Sequence, residues 1–110
     1  MTGKLVISVD CSTSAAKAVV WDESGKAIAE GRKGFDVNQP KSGWGEQDAR
    51  DWWDAVKTAI AEATAKSLAP ELIAAISITH QRETFVCLDK QDQPIRPAIL
   101  WLDVRATEEV

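Results

Sequence analysis

The segment Asp10-Cys11-Ser12-Thr13-Ser14-Ala15-Ala16-Lys17 places an acid, three hydroxyl side chains and a cation close together. Hydroxyls and closely spaced backbone N–H groups in a turn can surround an anion as a nest. An acid beside them can hold Mg2+ through water, because hard cations take oxygen ligands. Lys17 adds positive charge nearby. The same composition also suits a tight turn in which Ser and Thr satisfy the backbone and Lys17 is a solvated strand residue. Neither GxxxxGK[ST] nor GxGxxG occurs, so a phosphate site here is not one of the two common glycine-rich kinds.

A second cluster, His80-Gln81-Arg82-Glu83-Thr84, lies between two apolar runs. It is either a surface turn or a recognition site at a strand end. Arg82 supplies a fork of donors and Glu83 a pair of acceptors, a combination suited to vicinal hydroxyls, which both donate and accept. A third cluster sets Trp101 beside Asp103 and Arg105. An aromatic face can lie on the C–H surface of a sugar while polar neighbours take its hydroxyls. The alternative is a core Trp followed by a salt-bridged helix start capped by Asp103.

The elements that must position these residues are legible in outline. KLVISVD, AKAVVWD and KAIAEGRKGF predict three antiparallel strands, with Asp22 to Gly25 as a turn. DVNQPKSGWGEQ is predicted as loop, and its Trp44 between two glycines must pack back on the domain or line a cleft. Asp48 is placed to cap a helix from Ala49 to Lys66, with Trp52, Val56, Ile60, Ala59 and Ala63 on one face. Trp52 and Trp53 are both expected to be packing residues. After Pro70, LIAAISITH predicts a strand buried on both faces. TFVCLD predicts another strand, KQDQP a turn, and IRPAILW an extended passage into a helix that begins within DVRATEEV. No internal repeat is evident, and the order of elements predicts an α/β layer structure with a mixed sheet.

Composition sets the outer limits. With 110 residues, 45% of them apolar, the chain can bury one core. A net charge of −4 without a long Lys/Arg run argues against nucleic acid or anionic lipid as a partner. No apolar run approaches the roughly 20 residues that span a bilayer, so no membrane partner and a cytoplasmic location are expected. Cys11 and Cys87 form no CxxC pattern and His80 is the sole imidazole, which points to two ordinary thiols rather than a metal site.

DCSTSAAKAVVWDESGKAIA resembles the first phosphate-binding hairpin of actin-like sugar kinases, specifically the FGGY carbohydrate kinase family, whose usual form is D-x-G-T-[ST]-x-x-[KR]. Asp10, Thr13, Ser14 and Lys17 match it. Ser12 stands where the family has Gly, and because Ser tolerates positive φ and close backbone approach less readily, a slightly reshaped loop is expected. GWGEQDARDWW and RPAILWLDVR resemble xylulokinase-like members, whereas HQRET resembles the glycerol-kinase form of the substrate loop.

This resemblance implies a ribonuclease-H-like (actin-like ATPase) fold with a cleft between two domains. The implied activity is ATP-dependent phosphorylation of a hydroxyl on a sugar or polyol, with a ketose such as xylulose favoured and glycerol as the alternative. ATP and Mg2+ are the implied cofactors. Asp10 would hold the metal through water, Thr13 and Ser14 would meet the phosphates, and Lys17 would offset their charge. Gln81, Arg82, Glu83, Trp101 and, more weakly, Asp103 would face the substrate. The family's catalytic base lies beyond the matching region. Residues 1–110 are therefore expected to be the N-terminal portion of the first domain and inactive alone, and a homodimer is one assembly to expect. Two other readings stay open: a non-catalytic sugar- or partner-binding module, and a hydrolase pairing Asp10 with a second carboxylate such as Asp22 or Asp89.

Overall fold

The computed structural model describes residues 3–110. Its first three strands, β1 (Leu5–Cys11), β2 (Ala15–Trp21) and β3 (Ala27–Gly34), form the expected antiparallel meander. Alternation decides which face of β1 is inside: Leu5, Ile7, Val9 and Cys11 are buried. The β2–β3 turn is held by Asp22, whose Oδ1 accepts from the N–H groups of Ser24 at 2.9 Å and Lys26 at 3.0 Å. Gly25, at φ 83°, supplies the left-handed residue that this turn requires.

A two-residue strand β4 (Glu46–Gln47) leads into helix α1 (Ala49–Lys66), which Asp48 caps by accepting from Arg50 N at 2.9 Å. The helix lays Ala55, Val56, Ala59 and Ala63 over the sheet, and these small residues allow close approach. At Gly31 on β3 an added Cβ would lie 2.2 Å from Ala59 O, so the contact has no room for a side chain. A short 3-10 turn (Pro70–Leu72) then feeds β5 (Ile73–His80), which pairs parallel with β1. The sheet order is β3-β2-β1-β5, a mixed sheet as expected, and a small second sheet pairs β4 with β6 (Ala98–Ile99). No helix among the described residues is long and apolar enough to cross a membrane.

Four expectations are corrected. Among the described residues strand β5 is not covered on both faces: β1 alone pairs with it, α1 packs mainly on β2 and β3, and Ile76 and Ile78 are 51% and 61% exposed. TFVCLD is not a strand, since Phe85 and Leu88 make only isolated bridges to Ile99 and Pro94. The facing segment contains Pro94 and Pro97, which have no N–H to complete a ladder. Residues 105–109 form turns rather than a helix, with one turn bond from Glu109 N to Ala106 O at 3.2 Å. Finally, Trp53 is 63% exposed, because adjacent helical positions diverge by about 100° and Trp52 takes the inward side.

Candidate active-site cleft

Parallel pairing of β1 with β5 brings their carboxyl ends side by side, Asp10 opposite Thr79 and Cys11 opposite His80. The loops that follow these strands therefore emerge together. They enclose a cleft of about 450 Å³ lined by Asp10, Ser12 and Thr13 from the first hairpin, His80 to Glu83 from the end of β5, and Trp101 from beyond β6. Thus six of the nine residues singled out for ligand binding meet in one place: Asp10, Thr13, Gln81, Arg82, Glu83 and Trp101.

The hairpin is tight but not left-handed at Ser12. Among the described residues the non-glycine positions with positive φ are Glu83 (65°) and Asp92 (61°), so Ser12 does not need the freedom of glycine. Ser12 N donates to Ala15 O at 2.9 Å, and its hydroxyl donates to Asp10 Oδ1 at 2.6 Å. The N–H groups of Thr13 and Ser14 make no hydrogen bond to another described residue. Asp10 keeps one carboxylate oxygen clear of Ser12. Free N–H groups, hydroxyls and an exposed carboxylate form a donor and acceptor set that fits a phosphate with a water-bridged Mg2+. No three His, Cys, Asp or Glu side chains among the described residues come together to ligate a metal directly.

On the opposite wall Arg82 and Glu83 are exposed to the cleft. Glu83 holds a left-handed backbone, a conformation that costs a non-glycine residue roughly 1 kcal/mol or more and that clusters at ligand sites. Trp101 Nε1 donates to Thr13 Oγ1 at 3.0 Å, joining the two walls. His80 packs its ring edge-on against Trp52, with centroids 4.7 Å apart.

The remaining three residues lie elsewhere. Ser14 is exposed and holds β3 through its carbonyl, which accepts from Phe35 N at 3.0 Å. Lys17 sits opposite Asp10 on β2, with Nζ 3.6 Å from Glu30. Asp103 is directed away from the cleft: its Oδ2 accepts from Gly45 N at 2.7 Å and Arg105 Nη2 at 2.7 Å. The Arg105 side chain, then the backbone N–H groups of Arg105 and Gly45, hold the Asp103 carboxyl well below the usual carboxylate range. The same pairing, reinforced by Glu46, raises the Arg105 guanidinium above its ordinary value. Trp44 packs back on the domain under Arg105, whose guanidinium carbon is 3.8 Å from the ring centroid. Asp22 and Asp89 each order their own turn and do not line the cleft, so neither supplies a second carboxylate to Asp10.

Sequence reading missed Gln47, and it placed Thr84 in the second cluster without giving it a role. Gln47 is fully buried and bonded to Thr13 O, Trp52 and Gln81. Thr84 Oγ1 donates to Gln81 Oε1 at 3.1 Å and accepts from Trp101 N at 3.0 Å. A lone amide within a two-residue strand carries no periodic or compositional signal.

Residues 5–110 match the profile described as FGGY family of carbohydrate kinases, N-terminal domain. The chain belongs to the FGGY family. It is 44% identical over 98 residues to a glycerol kinase of Enterococcus casseliflavus, a match covering 87% of this chain and 19% of that protein. The ligand-bound xylulose kinase of Lactobacillus acidophilus superposes with a TM-score of 0.89 at 35% identity, covering 96% of this chain and 21% of that one. The glycerol kinase of Plasmodium falciparum with ADP superposes with a TM-score of 0.83 at 25% identity, over 97% and 22%. The fold is the actin-like ATPase fold of these FGGY kinases, and the chain spans about a fifth of the length of the relatives it matches.

Proposed function

We propose that the full-length protein is an ATP-dependent kinase that phosphorylates a hydroxyl of a small sugar or polyol, and that residues 1–110 are the N-terminal portion of the first of its two domains. The observation that carries this reading is the meeting of Asp10 and Thr13 with Arg82, Glu83 and Trp101 in one cleft. An anion-binding hairpin and a hydroxyl-binding loop face each other there, as phosphoryl transfer requires, since it depends chiefly on positioning and charge compensation.

Magnesium-bound ATP, when present, supplies the phosphoryl group and neutralises part of its charge. Asp10 would hold the metal through water, and Thr13 and Ser14 would offer N–H and hydroxyl donors to phosphate oxygens. Lys17, opposite Asp10, adds positive charge to that side. Arg82 and Glu83 would donate to and accept from neighbouring hydroxyls, and Trp101 would cover the C–H face. Asp103 contributes by fixing the backbone after Trp101 through Gly45 and Arg105.

Glycerol and a ketose such as xylulose are the acceptors to compare. Of the two xylulokinase-like segments, the one around Trp44 packs under Arg105 and bears on the scaffold, and the other brings Trp101 into the cleft. The lining residues Gln81 to Glu83 have the glycerol-kinase form, which moves the weight towards a small polyol such as glycerol. A phosphorylation screen of the full-length protein against glycerol, pentitols and pentuloses tests this. Turnover of glycerol with weaker turnover of xylulose is the expected result, and no turnover of any polyol sinks the kinase reading. Calorimetry with Mg·ATP separates the non-catalytic module, which would bind no nucleotide.

A further inference from the structure

Gln47 joins the two walls of the cleft, and its orientation is dictated by its partners. The Trp52 indole can only donate, and it donates to Gln47 Oε1 at 2.8 Å, so Gln47 Nε2 must face the carbonyl of Thr13 and donate to it. Gln81 Nε2 spends its hydrogens on Gln47 Oε1 at 3.1 Å and Ser12 O at 3.3 Å, which turns Gln81 Oε1 towards Thr84 Oγ1. Thr84 accepts from Trp101 N, and Trp101 Nε1 returns to Thr13 Oγ1. The circuit Thr13–Gln47–Gln81–Thr84–Trp101 is closed, the direction of each of its bonds is assigned, and Gln47 within it is fully buried.

From this geometry, and resting on the kinase reading above, we infer that Gln47 is a positioning residue that couples the phosphate-facing hairpin to the polyol-facing loop, so that occupation of either side strengthens binding at the other. A buried amide that accepts from Trp52 and Gln81 and donates to Thr13 O has one favourable setting, because a flip would set like atoms against each partner. A phosphate that orders Thr13 therefore orders Gln81, and a polyol that orders Gln81 to Glu83 orders Thr13. Gln47 touches neither ligand; it acts through Thr13 O and Gln81 Nε2.

The test is the ratio of polyol dissociation constants without and with a non-hydrolysable ATP analogue and Mg2+, measured by calorimetry on the full-length protein. The wild type is expected to show a ratio of at least about fivefold. Gln47→Glu keeps both acceptor bonds of Oε1 but sets a carboxylate oxygen against Thr13 O, so at about pH 9 the ratio falls to near one. Burial raises the carboxyl pKa of this variant, and at about pH 5.5 its O–H replaces the lost donor and restores the ratio. Asp10, His80, Arg82 and Glu83 are ionisable groups beside the network, so the wild type measured at both pH values is the control.

A wild-type ratio near one, or a Gln47→Glu ratio equal to wild type at about pH 9, overturns the coupling; turnover of a polyol in the same preparation leaves the kinase reading standing. If Gln47→Glu does not fold, the Gln47 side-chain amide resonance of the wild type decides. Coupling requires polyol alone and nucleotide alone each to shift it, and a resonance that answers only one ligand overturns the inference.

Discussion

Trp101 Nε1 donates to Thr13 Oγ1 at 3.0 Å across 88 positions of sequence. A residue proposed to cover the polyol is thereby tied to one proposed to meet phosphate. Trp101→Phe keeps an aromatic face and removes this bond, and a neutral hydrogen bond contributes about 1 kcal/mol, or roughly fivefold. Steady-state kinetics of the full-length protein should show kcat/KM for the polyol falling by about fivefold in Trp101→Phe and by about a hundredfold in Trp101→Ala, which also loses the face. Wild-type kcat/KM in Trp101→Phe would show that the indole N–H contributes nothing.

Ser12 occupies the position where the family motif has glycine, yet its backbone stays out of the left-handed region and its hydroxyl is engaged by Asp10 at 2.6 Å. Ser12→Gly should therefore change Mg·ATP affinity by less than about threefold, while the added freedom in the unfolded chain lowers stability by about 0.5–1 kcal/mol. A tenfold gain in nucleotide affinity by calorimetry would mean that the serine side chain obstructs the phosphate.

The strands and helix that carry the site follow directly from local pattern. Alternating Leu5, Ile7 and Val9, the Asp22–Gly25 turn and the Asp48 cap each act within a few residues, so their signals are contiguous in sequence. The errors at β5, Phe85 to Leu88 and Asp103 involve a partner in another segment. The apolar run of β5 implies cover on both faces, but among the described residues only β1 pairs with it. Phe85 to Leu88 has strand propensity, but its partner carries Pro94 and Pro97. Asp103 does accept from Arg105 N as a cap would, at 2.9 Å, yet its second oxygen is drawn to Gly45, 58 residues away. The circuit through Gln47 is invisible for the same reason.

The contact between β3 and α1 depends on Gly31. A methyl group there would meet Ala59 O at 2.2 Å and Ala63 N at 2.8 Å, and both are helix backbone that cannot rotate away. Gly31→Ala must push α1 off the sheet, at an expected cost of about 2–4 kcal/mol in urea unfolding. Gly34→Ala is the control, because its nearest non-neighbouring atom would be Ser14 O at 3.6 Å. Equal stability of the two variants would disprove the packing argument.

Asp103 and Arg105 predict an acid-sensitive scaffold. The side chains are 2% and 16% exposed, and Glu46 pairs with both Arg105 and Arg96. Because folding depresses the Asp103 pKa, its contribution is fully present above the unfolded carboxyl value of about 3.9 and is lost as pH falls towards the folded value. Asp103→Asn should cost about 2–4 kcal/mol near neutrality, as expected for breaking a buried pair. The gap between wild-type and variant urea midpoints should narrow progressively below about pH 4; a gap independent of pH would assign the loss to packing rather than to charge.

Glu83 combines a place in the cleft lining with a backbone at φ 65°. That conformation costs an ordinary residue roughly 1–2 kcal/mol and glycine almost nothing, although glycine gives back part of the gain as greater freedom in the unfolded chain. Glu83→Gly should therefore unfold at equal or slightly higher urea than wild type, by up to about 1 kcal/mol, while kcat/KM for the polyol falls by about a hundredfold or more with the loss of the acceptor pair. Glu83→Ala loses the same carboxylate and keeps the strain, so it should be as inactive as Glu83→Gly but less stable. If Glu83→Gly is instead the less stable of the two, the left-handed residue is not strained, and the placement of its carboxylate owes nothing to stored backbone energy.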